Sequence, residues 1–167
     1  MHPSMAGGMG VFVLETVCAY AFDFYAMMSE AARRLGIAIC IENMFPRNRL
    51  GVEPDDLQSI FTAFPDFRLT LDSGHANIGD RRGERMKGLV KQFGARIAHI
   101  HLSDNHGKVD DHLALGQGRI NFRDLVRRLD ALHYDGTATL EVFDANRQLL
   151  FQSRQRIEDM FADLRKP

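Results

Sequence analysis

Four residues whose side chains bind metals or transfer protons stand at or next to the ends of short apolar segments: Glu42, Asp72, His101 and Glu141. They lie 30, 29 and 40 positions apart along the chain. Two glutamates, one aspartate and one histidine form an oxygen-rich donor set without a thiolate. Such a set favours Mn²⁺, Mg²⁺ or Co²⁺, with Zn²⁺ as an alternative. A divalent-metal site is therefore the leading hypothesis for the chemistry of this chain.

The segments that carry these residues have the composition of buried β-strands. They read IAICIE, FRLTLD, RIAHIHL and TATLEV. Their spacing suits strand–helix units, since one such unit needs about 30 residues. In a (β/α) barrel the active site lies at the carboxyl ends of the strands. We therefore expect an α/β fold in which the four side chains converge at one edge of a parallel sheet.

The phase of the apolar residues supports this interpretation. Side chains alternate between the two faces of a strand with a period of two. In all four segments the bulky aliphatic residues fall on the face opposite the candidate ligand, as Leu69 and Leu71 do opposite Asp72. The aliphatic face is expected to contact the helices, and the polar or small face to line the barrel interior.

Helical periodicity and turn residues predict the elements between the strands. Apolar residues recur at intervals of three and four over residues 11–35, 54–64, 82–93, 121–133 and 147–164. The first ten residues, MHPSMAGGMG, are predicted to form a glycine-rich turn. The remaining segments are predicted to be loops, including the long polar loop after the third strand.

The length predicts one partial barrel. The chain has 167 residues, whereas eight strand–helix units need about 250. Residues 1–167 are therefore expected to form a single domain, the C-terminal portion of a barrel that lacks about the first three strands. Because open strand edges promote association, we expect a homo-oligomer or a partner that covers them.

Composition and charge disfavour binding to nucleic acid or to a membrane. The net charge of −1 gives no bulk attraction to nucleic acid. The apolar stretch over residues 11–28 contains Glu15 and Asp23, which indicates a buried helix rather than a membrane span.

Cys18 and Cys40 match no metal or redox spacing, and Cys40 is expected to be a small buried residue. No signal peptide is recognised, and a cytoplasmic location is expected.

Several motifs in a fixed order resemble those of a known family. IENMF, LDSGHANIG, HIHLSDNHGKVDDHLALGQGRINF and LEV resemble the xylose isomerase-like TIM-barrel superfamily, which includes sugar isomerases and epimerases and endonuclease IV. The resemblance implies that Glu42, Asp72, His101 and Glu141 hold a divalent metal. It also implies that Glu42 and Glu141 act as the acid–base pair.

The same resemblance implies roles for further residues. His75, in the D-x-x-H motif, matches a position that contacts substrate or a second metal. Asp110 and His112 match the D-x-H that holds an additional zinc in endonuclease IV. His2, followed by Pro3 and Ser4, resembles a strand-end His-Pro-Gly, which makes it a further candidate for the second metal. Asn43 and His112 are candidate substrate contacts.

The sequence is compatible with two enzymatic functions and with one interpretation in which the chain is not an enzyme. The leading hypothesis is a metal-dependent isomerase or epimerase that acts on a small sugar, sugar phosphate or keto acid. It would do so by proton transfer next to a metal-bound carbonyl. The alternative is an endonuclease IV-like phosphodiesterase, for which His2, His75, Asp110 and His112 would all need to be ligands. A third reading is an inactive truncated barrel fragment.

Overall fold

The computed structural model describes residues 3–48 and 51–165, and within them it contains six α-helices and four strands. In chain order these are α1 (Pro3–Leu35), β1 (Cys40–Glu42), α2 (Pro54–Ala63), β2 (Arg68–Asp72), α3 (Ser73–Asn77), α4 (Glu84–Phe93), β3 (Ile97–Leu102), α5 (Phe122–Ala131), β4 (Thr137–Leu140) and α6 (Gln148–Leu164). Short 3-10 turns occur at Pro46–Asn48 and Gly94–Arg96.

The four strands form one parallel sheet in the order β1-β2-β3-β4, the same as their order in the chain. Helical segments connect each strand to the next, as in a (β/α) barrel. The register places Asp72 beside His101 and His101 beside Thr139. The predicted α/β fold of barrel type, with four successive parallel strands, is confirmed.

The hydrophobic core lies between the sheet and its helices. Leu69, Leu71, Ile100 and Leu102 are all at most 3% exposed and belong to one cluster with apolar residues of α2, α4 and α5. Burying each such side chain contributes about 1.5–3 kcal/mol. The predicted phase of the strands is confirmed for β2 and β3, because their aliphatic residues face the helices.

Helix α1 joins this core through aromatic contacts. Phe64 and Phe67 stack with ring centroids 4.9 Å apart, and Tyr25 of α1 meets both rings edge-on at 5.8 and 5.9 Å. Such pairs stabilise packing beyond the area that they bury. Among the described residues, no helix combines the length and the apolar character that crossing a bilayer requires.

Two predictions about the first elements need correction. Residues 3–10 belong to α1 instead of forming a turn, since proline is tolerated in the first turn of a helix. Cys40 is exposed instead of buried, because it lies on edge strand β1, on the face that carries no helices. The two cysteines, Cys18 and Cys40, are both free.

Candidate functional site

His101 lies at the centre of a polar cluster at the carboxyl edge of the sheet. Its Nδ1 atom is 3.2 Å from Oε1 of Glu141, 3.4 Å from Oε2 of Glu42 and 3.5 Å from Oδ2 of Asp72. Glu42, Asp72 and His101 each offer one ligand atom, and these atoms all lie within 4.8 Å of one another. Glu141 is outside this tight group and meets it through His101. The structure thus brings together the four residues predicted from their strand positions.

The residues present fit a divalent cation. Oδ2 of Asp72 and Nδ1 of His101 are buried and have no hydrogen-bond partner among the described residues. Buried polar atoms in native proteins are nearly always bonded, and a cation between two such atoms 3.5 Å apart would give both of them a partner. A carboxylate-rich set with one imidazole suits Mn²⁺, Mg²⁺ or Co²⁺, and also accepts Zn²⁺.

The backbone of Asp72 is fixed by the side chain of Asn43. The amide nitrogen of Asn43 donates to the carbonyl of Asp72 at 3.0 Å, and the backbone N–H of Asp72 donates to Oδ1 of Asn43 at 2.8 Å. Asn43 is fully buried, and its predicted contact with a substrate stays a prediction. Its side chain ties the end of β1 to the end of β2, which positions Asp72.

Asp72 also begins helix α3, which sequence periodicity did not reveal. Its Oδ1 accepts from the backbone N–H of His75 at 2.7 Å, an N-cap interaction. Burial raises the pKa of Asp72 to about 6, and the nearby charge of His75 offsets this only in part. Oδ1 of Asp72 thus caps α3, while Oδ2 of the same carboxylate faces His101.

A chain of contacts links the two glutamates along the rim of the cluster. Nδ1 of His75 lies 2.9 Å from Oε1 of Glu42, and its Nε2 lies 3.2 Å from Oδ2 of Asp110. The same Asp110 oxygen is 3.0 Å from Nε2 of His112. Nδ1 of His112 is 3.1 Å from the backbone carbonyl of Glu141. His75, Asp110 and His112, each predicted to contact substrate or a second metal, are thus in mutual contact.

Burial and pairing with neighbouring charges shift the pKa values of His75 and Glu42 in opposite directions. Burial lowers the pKa of His75, but its hydrogen bond with Glu42 and the charges of Asp72 and Asp110 outweigh this and raise the pKa to about 9. Burial raises the pKa of Glu42, but the hydrogen bond and charge of His75, with smaller effects of His101 and His112, lower it overall. The pairing of the two residues thus favours the ionised form of Glu42 and the protonated form of His75.

Asp104 shapes the loop that carries Asp110 and His112. Its fully buried carboxylate accepts four backbone N–H groups, at 2.8–3.1 Å, from Asn105, Gly116, Gly118 and Ile120. His112 itself adopts a left-handed conformation with φ of 47°. Its ring stacks on Phe143 with centroids 4.2 Å apart. The loop is thus held firmly although it contains little regular secondary structure.

Gly74 and Ser103 complete the site and were not singled out from the sequence. A Cβ atom at Gly74 would lie 2.5 Å from Oγ of Ser103 and 3.2 Å from Oδ1 of Asp110. These two oxygens are buried without a hydrogen-bond partner among the described residues. The motif LDSGH offered a signal, since a glycine at or near the end of a strand often permits close approach of other groups.

His99 lies next to His101, with ring centroids 5.1 Å apart, but has other hydrogen-bond partners. His99 faces the hydroxyl groups of β4, with its ring nitrogens 2.6 Å from Oγ1 of Thr137 and 3.0 Å from Oγ1 of Thr139. These contacts give both ring nitrogens of the half-buried His99 a partner. His2 lies outside the described residues, and its role at a second metal remains a prediction.

Comparisons with known proteins place this geometry in context. The family model described as xylose isomerase-like TIM barrel matches residues 9–165. An uncharacterized protein of Methanocaldococcus jannaschii is 36% identical over 145 residues, which cover 84% of this chain and 49% of that protein. The chain spans about half the length of the curated relatives it matches.

Solved structures show the same architecture. The structure of a D-tagatose 3-epimerase-like protein superposes with a TM-score of 0.74 at 31% identity, covering 84% of this chain and 53% of that one. The D-allulose 3-epimerase of Methylomonas sp. superposes with a TM-score of 0.67 at 19% identity, covering 85% and 55% respectively. The second similarity concerns the fold alone.

Proposed function

The chain belongs to the xylose isomerase-like TIM barrel family, and on this premise we propose that it carries the reaction centre of a sugar isomerase or epimerase. The substrate would be a small sugar, sugar phosphate or keto acid. The observation that carries the proposal is the convergence of three carboxylates, from β1, β2 and the segment just after β4, on Nδ1 of His101 at 3.2–3.5 Å. The 31% identity to a D-tagatose 3-epimerase-like protein supports it.

Glu42, Asp72, His101 and Glu141 would hold the divalent ion. Mn²⁺, Mg²⁺, Co²⁺ and Zn²⁺ are the candidates given by the donor set. Such an ion, when bound, polarises a carbonyl group and acidifies the adjacent C–H bond. Asp72 and His101 come from the two inner strands, so they define the middle of the site.

Glu42 and Glu141 would transfer the proton. They extend from β1 and from the segment just after β4, so they approach the site from opposite edges of the sheet. Each glutamate has one carboxylate oxygen near His101 and one directed toward an imidazole, Oε1 of Glu42 at 2.9 Å from His75 and Oε2 of Glu141 at 3.8 Å from His112. A lowered pKa keeps Glu42 ionised, as a general base must be before it accepts a proton.

His75 and His112 would hold substrate oxygens. Both rings have restricted mobility, since His75 lies against Phe45 with centroids 5.1 Å apart and His112 stacks on Phe143. Asp110 contacts both rings through one oxygen. This arrangement suits the recognition of adjacent hydroxyl groups, because rigid donors orient a flexible sugar at lower entropic cost.

The decisive experiment follows hydrogen exchange in D₂O. With Mn²⁺ and a panel of ketoses, proton transfer should incorporate deuterium from solvent at the carbon beside the carbonyl, detected by NMR. Glu141→Gln should lower the exchange rate at least about 100-fold while substrate affinity changes only a few-fold, because proton transfer contributes about 10²–10⁴. The exposed Glu158→Gln on α6 is the matched control and should exchange at the wild-type rate. Unchanged exchange in Glu141→Gln would reject the acid–base role.

An endonuclease IV-like phosphodiesterase is the second candidate. It is favoured by the meeting of His75, Asp110 and His112, because clustered metals in such enzymes need ligands beside the first site. Metal analysis separates the two functions. One ion per chain supports the isomerase, and two or more with cleavage of abasic-site DNA support the phosphodiesterase. Assembly into a homo-oligomer and a cytoplasmic location stay predictions.

A further inference from the structure

A polar cavity lies beside the N-terminal ends of α4 and α5. It has a volume of about 410 Å³ and opens between the segment after α3 and the first turns of α4 and α5. Five cationic side chains line it, against one carboxylate, that of Asp124; the cations are Arg81, Arg82, Lys87, Arg119 and Arg128. None of the metal-site residues borders this cavity, so it is a separate feature.

Arg119 is fixed in place at the edge of the cavity. Its Nη2 donates to the carbonyl of Asp80 at 2.7 Å and to that of Asn77 at 3.4 Å. The guanidinium lies over Gly107, where a Cβ atom would come within 2.0 Å of Nη2. A guanidinium held in this way loses little further freedom when it binds an anion.

Hydrogen bonds from Arg85 and to Asp80 hold the backbone of the segment that carries Arg81 and Arg82. Arg85 donates to the carbonyls of Ala76 and Ile78 at 3.1 and 2.8 Å, and its side chain is only 11% exposed. The carboxylate of Asp80 accepts the backbone N–H groups of Arg82 and Arg85. The backbone that presents the two arginines is therefore well ordered.

The charge around the cavity is only partly compensated. Arg128 pairs with Asp124 at 2.9 Å and Lys87 with Glu84 at 2.9 Å. The side chains of Arg81 and Arg82 have no ion-pair or hydrogen-bond partner within residues 3–48 and 51–165. Like charges held close together are unfavourable, and an anionic ligand would relieve this repulsion.

Apolar residues form part of the cavity wall. Ile120, which is half-buried, and Met86, which is 8% exposed, present apolar surface to it. The volume falls within the range of small-ligand pockets, roughly 300–1,000 Å³. We propose that this cavity binds a small organic phosphate, with the phosphoryl group on the arginines and the uncharged part against the apolar wall.

The test uses phenyl phosphate and inorganic phosphate as probes at constant ionic strength, with EDTA present, measured by titration calorimetry. Both should bind saturably, and phenyl phosphate more tightly because its ring contacts the apolar wall. The double variant Arg81→Gln/Arg82→Gln should weaken both at least about tenfold, since charge-assisted hydrogen bonds are the strong ones. Arg127→Gln, which removes a charge from α5 outside the cavity, is the matched control and should bind as the wild type does.

Further variants keep the test decisive. Arg119→Gln should weaken binding too, but it also removes contacts to the Asn77 and Asp80 carbonyls, so the double variant carries the conclusion. Absence of saturable binding, or equal weakening by Arg127→Gln, would overturn the proposal.

Discussion

At the scale of single residues, the protonation state of Asp72 should control how the affinity for a metal ion depends on pH. Burial holds its pKa at about 6 in the metal-free protein, and a carboxyl group binds a divalent ion only after losing its proton. Above pH 6 the carboxylate is present and metal affinity should be high. As the pH falls below about 6, affinity should decrease by up to about tenfold per pH unit from this group.

Mn²⁺ titrations between pH 5 and pH 8 check this dependence. Asp72→Asn should bind Mn²⁺ weakly at every pH, because the amide is uncharged and does not titrate in this range. The control Asp66→Asn changes an exposed aspartate outside the site and should reproduce the wild-type curve. A wild-type affinity that is flat from pH 5 to pH 7 would contradict the prediction.

The sequence predicted individual residues where the signal was local. Glu42, Asp72, His101 and Glu141 follow from residue type, strand phase and the convergence of parallel strand ends. Gly74 and Ser103 did not emerge, and Asn43 was predicted as a substrate contact rather than as the residue that fixes Asp72, because their partners lie on other segments. The hydrogen bonds between Asn43 and Asp72, for example, join residues 29 positions apart, and no spacing rule predicts a particular side chain-to-backbone contact over that distance.

Among the elements, the loop between β3 and α5 depends on Asp104 most strongly. Its buried carboxylate accepts four backbone N–H groups, and hydrogen bonds to charged groups contribute about 1.5–3 kcal/mol each. Asp104→Ala should lower the free energy of unfolding by about 3 kcal/mol or more, since several buried donors would lose their acceptor.

Urea unfolding measures this loss against a matched control in the same loop. Asp111 accepts a single long contact, 3.4 Å from the N–H of His106, so Asp111→Ala should stay within about 0.5 kcal/mol of the wild type. Similar stabilities for Asp104→Ala and the wild type would show that the carboxylate does not anchor the loop.

Helices and strands with strong periodicity were predicted well. The predicted helices at residues 54–64, 82–93, 121–133 and 147–164 correspond to α2, α4, α5 and α6 with ends shifted by a few residues. Helix α3 was missed because its five residues are too few for a periodic pattern. Helix α1 begins earlier than predicted, because glycine and proline near a helix start lower its propensity without preventing it.

For the whole molecule, the open sheet predicts uneven stability. Strands β2 and β3 are paired on both sides, whereas β1 and β4 each have one neighbour among the described residues. The residues Thr137, Ala138 and Thr139 of β4 are exposed, while Leu71 and Ile100 are at most 2% exposed. Amide hydrogens of β2 and β3 should therefore exchange with solvent at least about 100-fold more slowly than those of β4.

Hydrogen exchange followed by NMR at several protein concentrations tests this expectation. Amide hydrogens of Leu71 and Ile100 should be the slow reference at every concentration. Exchange in β4 that is equally slow at the lowest concentration would contradict an open edge. Protection of β4 that grows with concentration would instead identify a second copy covering that edge, as the sequence-based expectation of a homo-oligomer predicts.

The fold of the chain could be predicted from its sequence more readily than its oligomeric state. Four strands with one phase and regular spacing sufficed to indicate a barrel-type sheet, because parallel strands with helical connections have few alternatives. What covers the exposed large apolar residues, such as Tyr20, Phe24, Phe143 and Phe151, depends on contacts between chains or segments. Such contacts leave no periodic signal in a single sequence.

The central claim is that the strand-end carboxylates and His101 form one divalent-metal site, and calorimetric titration of the EDTA-treated protein with Mn²⁺ tests it most directly. The account predicts saturable binding of one ion per chain for the wild type. It also predicts affinity at least about tenfold weaker for Asp72→Asn, and unchanged affinity for Asp66→Asn. No saturable binding, or equal affinity in the wild type and Asp72→Asn, would contradict the account.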